Sequence, residues 1–390
     1  MFDWDNDFWF FVRTKIHTIM SVITCVVAVV LLLVLINIDN PDVKNIENNI
    51  SVEITNFQEN VLLIDEKIET YLKSDPFKTS AEEVYKTYAG NKKQLNQGRP
   101  FVFSYNLNNA HEEMFGQKAM LYLSENKDFE SMQTFEITNN SIEIFSLKTD
   151  TKYYYQLIVI LSNESIIGKT GSFVTSKSPR ILKIDGIVNV RDIGGWQTSD
   201  GKQIKQCLLY RGSELDGAVE KNYKLSDNGK SEMINVLKIK TDMDLRNPNV
   251  NKEPFDALGE KVKHEYYNAP QYASVFEPDY RKTMQKIFSD LANEQNYPIY
   301  LHCTYGRDRT GTICAILEAF LGVSKEDIKR DYEISSFSYG KLDREWFDSF
   351  VEKLDAFEGK TLQQSAENYL LSLGLTEQEL KNIKNIFLGE

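Results

Sequence analysis

A cysteine and an arginine stand six positions apart in the stretch His302, Cys303, Thr304, Tyr305, Gly306, Arg307, Asp308, Arg309, Thr310, Gly311. An apolar, β-prone run over 297–301 precedes it, and an apolar helical run over 310–321 follows it. The stretch therefore reads as strand, tight loop and helix N-terminus. That layout suits attack on a phosphate ester. Backbone N–H groups of a loop wrapped over a helix N-terminus can cradle a phosphate dianion, and the same field favours a thiolate at that place. An arginine adds a planar fork for two phosphate oxygens. Gly306 permits backbone geometry that a Cβ would resist. In this reading Cys303 is the nucleophile, Arg309 binds the equatorial oxygens, and Thr304, Tyr305, Gly306, Arg307 and Asp308 complete the phosphate-binding loop. Thr310 can donate a hydrogen bond to the departing sulfur, and His302 holds loop backbone in place.

These residues resemble the signature loop of the cysteine-dependent protein tyrosine phosphatases, Cys-x5-Arg followed by Ser or Thr. A bare Cys-x5-Arg is weak, but the preceding His, the internal Gly, the following Thr-Gly and the strand–helix setting make this one specific. Upstream, Asn189 through Trp196 (NVRDIGGW), Leu209 through Gly212 (LYRG) and Thr241 through Arg246 (TDMDLR) look like the opening motifs of bacterial tyrosine phosphatases whose loop reads HCxxGxDRTG. That group includes dual-specificity and phosphoinositide-active enzymes. Leu321 through Ile328 also fits.

The reaction needs an acid for the leaving group and a base for water. The resemblance places it at Asp308. Asp244, with Asp242, is the alternative, at the end of an expected strand where loops meet the active face of an α/β sheet; Asp244 with Arg246 reads equally as a structural ion pair. Arg191 and Asp192 read as a structural pair. Related loops often carry Lys at the place of Arg307, and this extra cation leaves phosphoinositides open as substrates.

The elements that position this loop belong to a larger chain of 390 residues, with room for two or three domains. A hydrophobic share of 42% and an aromatic share of 12% allow well-filled cores, and the formal charge of −12 argues against a nucleic-acid binder. The four cysteines, Cys25, Cys207, Cys303 and Cys314, suggest no disulfide framework, and no His/Cys cluster has zinc-ligand spacing, so neither metal nor cofactor is expected.

After a short tail, 1–15, no Asp, Glu, Lys or Arg occurs from 16 to 38, enough for a transmembrane helix. Arg13 and Lys15 precede the span and only Lys44 follows closely. The positive-inside rule then predicts a single-pass protein of the cell membrane with its catalytic domain extracellular. Over 39–97 a helical stalk and connector is expected. Its apolar residues recur every three or four positions from Val43 to Tyr71, a stripe over 43–72 suited to a homodimer or to packing on the next domain. Short β-runs over 98–177 suggest a β-sandwich. The segment from Leu147 to Tyr153 is similar to the tyrosine corner of fibronectin type III-like domains. Residues 180–390 form the expected α/β tyrosine-phosphatase domain, a central sheet flanked by helices. Three functions follow: a membrane-anchored phosphatase for phosphotyrosine and also phosphoserine/threonine, a phosphoinositide phosphatase, or a surface interaction protein with a vestigial phosphatase domain. Intact Cys303, Asp308, Arg309 and Thr310 argue against the last.

Overall fold

The computed structural model describes residues 51–89, 95–109, 118–160, 166–247, 257–340 and 342–389. The expected transmembrane segment 16–38 lies outside the described residues. No helix among the described residues is long and apolar enough to cross a membrane.

The amino-terminal half contains β1 (Ser51–Ile54), β2 (Asn60–Val61), α1 (Glu66–Leu72), α2 (Ala81–Ala89), β3 (Phe101–Asn108), β4 (Lys118–Ser124), β5 (Gln133–Ile137), β6 (Ser141–Ile144), β7 (Lys152–Ile160) and β8 (Ile166–Thr175). The strands form two sheets, ordered β1-β3-β6 and β2-β8-β7-β4-β5. Alternation explains them: Phe101, Phe103 and Tyr105 point inward from β3, and Tyr153, Tyr155, Leu157 and Val159 from β7, into one shared core. The rings of Phe101 and Phe173 stack there at 4.1 Å. At the entrance to β7 the Tyr153 hydroxyl accepts the Lys148 N–H at 3.0 Å, a link from a strand back to the chain a few residues upstream.

The expected stalk is corrected by the structure. Over 51–72 the chain runs strand, turn, strand, helix, because Asn56 favours a turn and β-branched Val52 and Ile54 favour a strand. The helix begins only at Glu66, where the Asp65 side chain accepts the Lys67 N–H. The apolar stripe is divided within the chain. Val52, Val61 and Leu63 enter the sandwich core, while Ile68 and Tyr71 are fully buried in the core of the second half. The sandwich therefore starts at β1 rather than near 98.

The second half contains β9 (Arg180–Ile181), β10 (Arg191–Asp192), β11 (Leu209–Gly212), α3 (Asp227–Ser231), β12 (Thr241–Asp244), β13 (Lys263–Tyr266), α4 (Arg281–Leu291), β14 (Ile299–His302), α5 (Asp308–Leu321), α6 (Lys325–Ile334), α7 (Ser336–Tyr339), α8 (Arg344–Asp355), α9 (Leu362–Leu373) and α10 (Glu377–Leu388). One mixed sheet runs β13-β12-β14-β11-β10-β9, with its first four strands parallel. Helix α5 follows β14 and is buried from Thr310 to Leu321, so its run of apolar residues needs no polar face. Gly322, at φ +92°, ends it. The Thr376–Glu379 capping box opens α10.

Replacing Ile68, which has no exposed surface, by alanine should cost about 2–5 kcal/mol in chemical denaturation. An exposed stalk position would change stability by no more than about 0.5 kcal/mol.

Candidate active site

Register sets the stage. Asp244 pairs with His302, and His302 pairs with Gly212, so the carboxyl ends of β12, β14 and β11 finish level. Cys303 follows at once, 4% exposed. The loop beyond it lies against the end of β11. Gly306 has φ +64°, and a Cβ there would fall 2.2 Å from the Gly212 carbonyl oxygen. Only glycine fits that approach.

The loop carbonyls are captured from outside. The Asn189 amide donates to the carbonyls of Tyr305 (3.0 Å) and Gly306 (3.3 Å). The Tyr339 hydroxyl donates to Tyr305 O at 2.7 Å, Arg211 Nη2 to Gly306 O at 2.8 Å, and the Glu214 N–H to Thr304 O at 3.0 Å. By contrast, the N–H groups of Thr304, Tyr305, Gly306, Asp308 and Arg309 make no hydrogen bond among the described residues. A string of free N–H donors at the start of a helix is an anion nest. The half-buried Arg309 guanidinium has no partner among the described residues. Thr310 Oγ1 is buried without one. Both are thus available to a ligand at Cys303.

Asp308 is held, not free. It accepts from Arg307 Nε (2.9 Å) and Nη2 (3.0 Å) and from the Tyr272 hydroxyl. Burial, with Tyr332 and Asp308 alongside, pushes the Tyr272 hydroxyl far above its ordinary value, so it stays a donor. The Tyr332 hydroxyl sits 2.8 Å from it. Trp346, 65% exposed, packs edge-on against Tyr272 at 6.3 Å between rings.

Below the loop lies a layer of buried charge. His302 Nδ1 faces the Cys303 carbonyl at 3.2 Å. Its Nε2 is 3.0 Å from Asp242, whose other oxygen is 2.9 Å from His264 Nδ1. Burial pushes His302 down, but the carboxylates of Asp244 and Asp242 outweigh that and lift it to about 9. Burial likewise opposes the Asp242 carboxylate, yet His302 and His264 hold it well below the usual range. Asp244 is fully buried and engaged by Arg246, with contacts of 3.0 and 2.6 Å. Arg246 also reaches Glu214 at 2.5 Å and Asp216 at 2.8 Å. Asp244 therefore sits inside an ion cluster, as its Arg246 neighbour suggested, and does not present a free carboxyl.

The expected pair of Arg191 with Asp192 is not made. Adjacent residues on a strand point to opposite faces, so each finds another partner. Arg191 binds Asp331 at 2.8 Å, and Asp192 binds Arg180 at 2.8 Å. Arg211 joins Asp331 on the same face, and these two arginines hold the Asp331 carboxyl below its usual range against the opposing effect of burial. Sequence reading missed Asn189, Arg211, Tyr272, Asp331 and Tyr339. A buried Arg on the strand motif LYRG requires an acid somewhere, but nothing local marks Asp331, 120 positions away, as that acid.

His302 gives a pH prediction. Its folded value of about 9 exceeds the ordinary 6.5, so its charged contacts stabilise the fold fully below about pH 6.5. That stability is lost as pH rises through 9. His264 is shifted the same way and shares the slope; Asp242 acts only in acid. Denaturation midpoints from pH 6 to 10 should fall in the native chain and fall less in His302→Gln.

Residues 182–389, more than half of the chain, match the model of the tyrosine phosphatase family. A protein of Cupriavidus necator assigned as a tyrosine-protein phosphatase is 24% identical over 196 residues, covering 44% of this chain and 69% of that protein. A tyrosine-protein phosphatase of Nostoc commune is 26% identical over 164 residues, 35% of this chain and 50% of its own, so the chain spans half of that relative. The core catalytic domain of the PP-IP phosphatase SIW14 from S. cerevisiae, solved with citrate, matches at 19% identity and a TM-score of 0.29, covering 47% of this chain and 90% of that one. That score is too low to add to the assignment. The family match and the loop geometry agree: the chain belongs to the tyrosine phosphatase family.

Proposed function

We propose that this chain is a membrane-anchored, cysteine-dependent phosphatase that hydrolyses phosphotyrosine, and phosphoserine or phosphothreonine as well. The observation that carries the reading is the pairing of an anion nest with a free Arg309 directly after Cys303. The Cys303 thiolate attacks phosphorus, the P–O ester bond breaks, and Asp308 gives its proton to the leaving oxygen. Loop N–H groups and Arg309 carry the charge that builds on the equatorial oxygens. Water then attacks the cysteinyl-phosphate, Asp308 takes its proton, the P–S bond breaks, and Thr310 donates to the departing sulfur. Inorganic phosphate leaves and no metal takes part.

A phosphoinositide phosphatase is the second reading, favoured by Arg307, a second cation in the loop. We rank it lower because Arg307 is already committed to Asp308. The charge-free stretch over 16–38 supports the membrane anchor, and the two lysine or arginine residues before it support an extracellular catalytic domain. The sheet pairing β1-β3-β6 and the Tyr153 link support a fibronectin type III-like reading of the sandwich.

Cys303→Ser should bring turnover of p-nitrophenyl phosphate to background without lowering the melting temperature. Turnover should withstand chelators and be blocked by vanadate. Chelator-sensitive turnover, or an active Cys303→Ser chain, would refute the mechanism. Asp308→Asn should slow a phosphotyrosine peptide, on the order of 10² to 10⁴, far more than p-nitrophenyl phosphate, whose leaving group scarcely needs a proton. Equal slowing of both would reduce Asp308 to a loop support. A substrate-selective loss in Asp244→Asn instead would move the acid to the strand end. Phosphotyrosine peptide, phosphoserine peptide and phosphoinositides, assayed side by side, rank the two readings.

A further inference from the structure

Between β2 and β3 the chain leaves the sandwich and crosses onto the catalytic half. Ile64, Ile68, Tyr71 and Val84 lie in the same core as α5. The Tyr71 hydroxyl and the Ala81 N–H both donate to Glu333 Oε2, at 2.8 and 3.0 Å. The Leu95 N–H then donates to the Phe337 carbonyl at 2.9 Å. This strap ends on Asn96, which is 1% exposed. Asn96 Nδ2 donates to Asn189 Oδ1 at 2.8 Å and to the Ile334 carbonyl at 3.4 Å, while its Oδ1 accepts the Ser338 hydroxyl.

Asn189 is the residue whose Nδ2 holds the carbonyls of Tyr305 and Gly306. An amide can do this only with its nitrogen toward the loop. Turned over, its oxygen would face two carbonyl oxygens. Two donors fix the orientation by occupying Asn189 Oδ1: Arg191 Nη1 at 2.7 Å, and Asn96 Nδ2. Arg191 comes from the phosphatase region; Asn96 lies well before residue 182, where the family match begins.

We propose that the strap seen over 64–89 and 95–96 is part of the catalytic unit, and that Asn96 is a positioning residue that orients the phosphate loop through Asn189. The proposal rests on the loop at Cys303 being the active site. It is absent from the phosphatase region taken alone, so a fragment beginning near 180 would lack one of the two groups that orient Asn189.

The test is a double-mutant cycle in the full chain, with kcat/KM for p-nitrophenyl phosphate and melting temperature read for each variant. Asn96→Ala removes its neutral hydrogen bonds to Asn189, to the Ile334 carbonyl and to Ser338, and losing the one to Asn189 should lower kcat/KM roughly three- to tenfold. On an Asn189→Ala background the same change should have no further effect, because its target is gone. Asn96→Asp keeps the acceptor for Ser338 but sets an oxygen against Asn189 Oδ1, so it should lose at least as much. It carries the test if the alanine variant melts below the assay temperature. A merely structural strap would lower melting temperature and multiply its loss with that of Asn189→Ala. Activity within twofold of the native chain, or multiplying losses, overturns the proposal. A fully active Cys303→Ser chain would instead overturn the site itself, whatever Asn96 does, so the two failures are separable.

Discussion

A peptide loop can bind an anion only if its carbonyls are kept out of the pocket. Each peptide unit carries one donor and one acceptor, and a carbonyl turned inward would repel the phosphate it should attract. In this chain that constraint is met by side chains drawn from far along the sequence. Asn189 precedes β10, Arg211 lies on β11 and Tyr339 ends α7, and all three converge on two carbonyls, those of Tyr305 and Gly306. The sheet brings β10 and β11 beside β14, and the α5–α6–α7 run brings Tyr339 back over the loop.

The supports are themselves charged and buried, which requires a further set of partners. Arg211 and Arg191 are both without exposed surface, and each is matched by Asp331 on α6. Removing one member of such a network leaves an uncompensated buried charge and costs about 3–5 kcal/mol, so these groups hold one arrangement or fail together. A second set lies under β12 and β14. Arg246 meets Glu214, Asp216 and Asp244, and Asp242 lies between two histidines. The loop thus rests on two charge clusters, one on each side, and Asn96 and Arg191 close the layer at Asn189.

How much of this was legible in the sequence differs by residue. Cys303, Gly306, Arg309 and Thr310 are neighbours in sequence, so their spacing alone placed them on one strand–loop–helix turn. The strand end at Asp244 and the helical run over 310–321 were readable from the local pattern in the same way. What failed was anything set by distance along the chain. Over 51–72 the apolar stripe keeps the spacing of a long helix, but its buried residues are shared between two cores, and Asn56 sits at a bend ahead of β2. Arg191 beside Asp192 invites a pairing that strand geometry forbids, and Asp331, the true partner of Arg191, carries no local mark. Tyr272 and Asn96 reach the site only through the tertiary fold.

The most direct measurement is a crystal structure of the chain with orthovanadate bound. Vanadium should sit within bonding distance of the Cys303 sulfur, with N–H groups of the loop and Arg309 on the equatorial oxygens. The Asn189 amide nitrogen should stay on the carbonyls of Tyr305 and Gly306. Vanadate bound elsewhere, or a loop with those carbonyls turned toward the anion, would contradict the account.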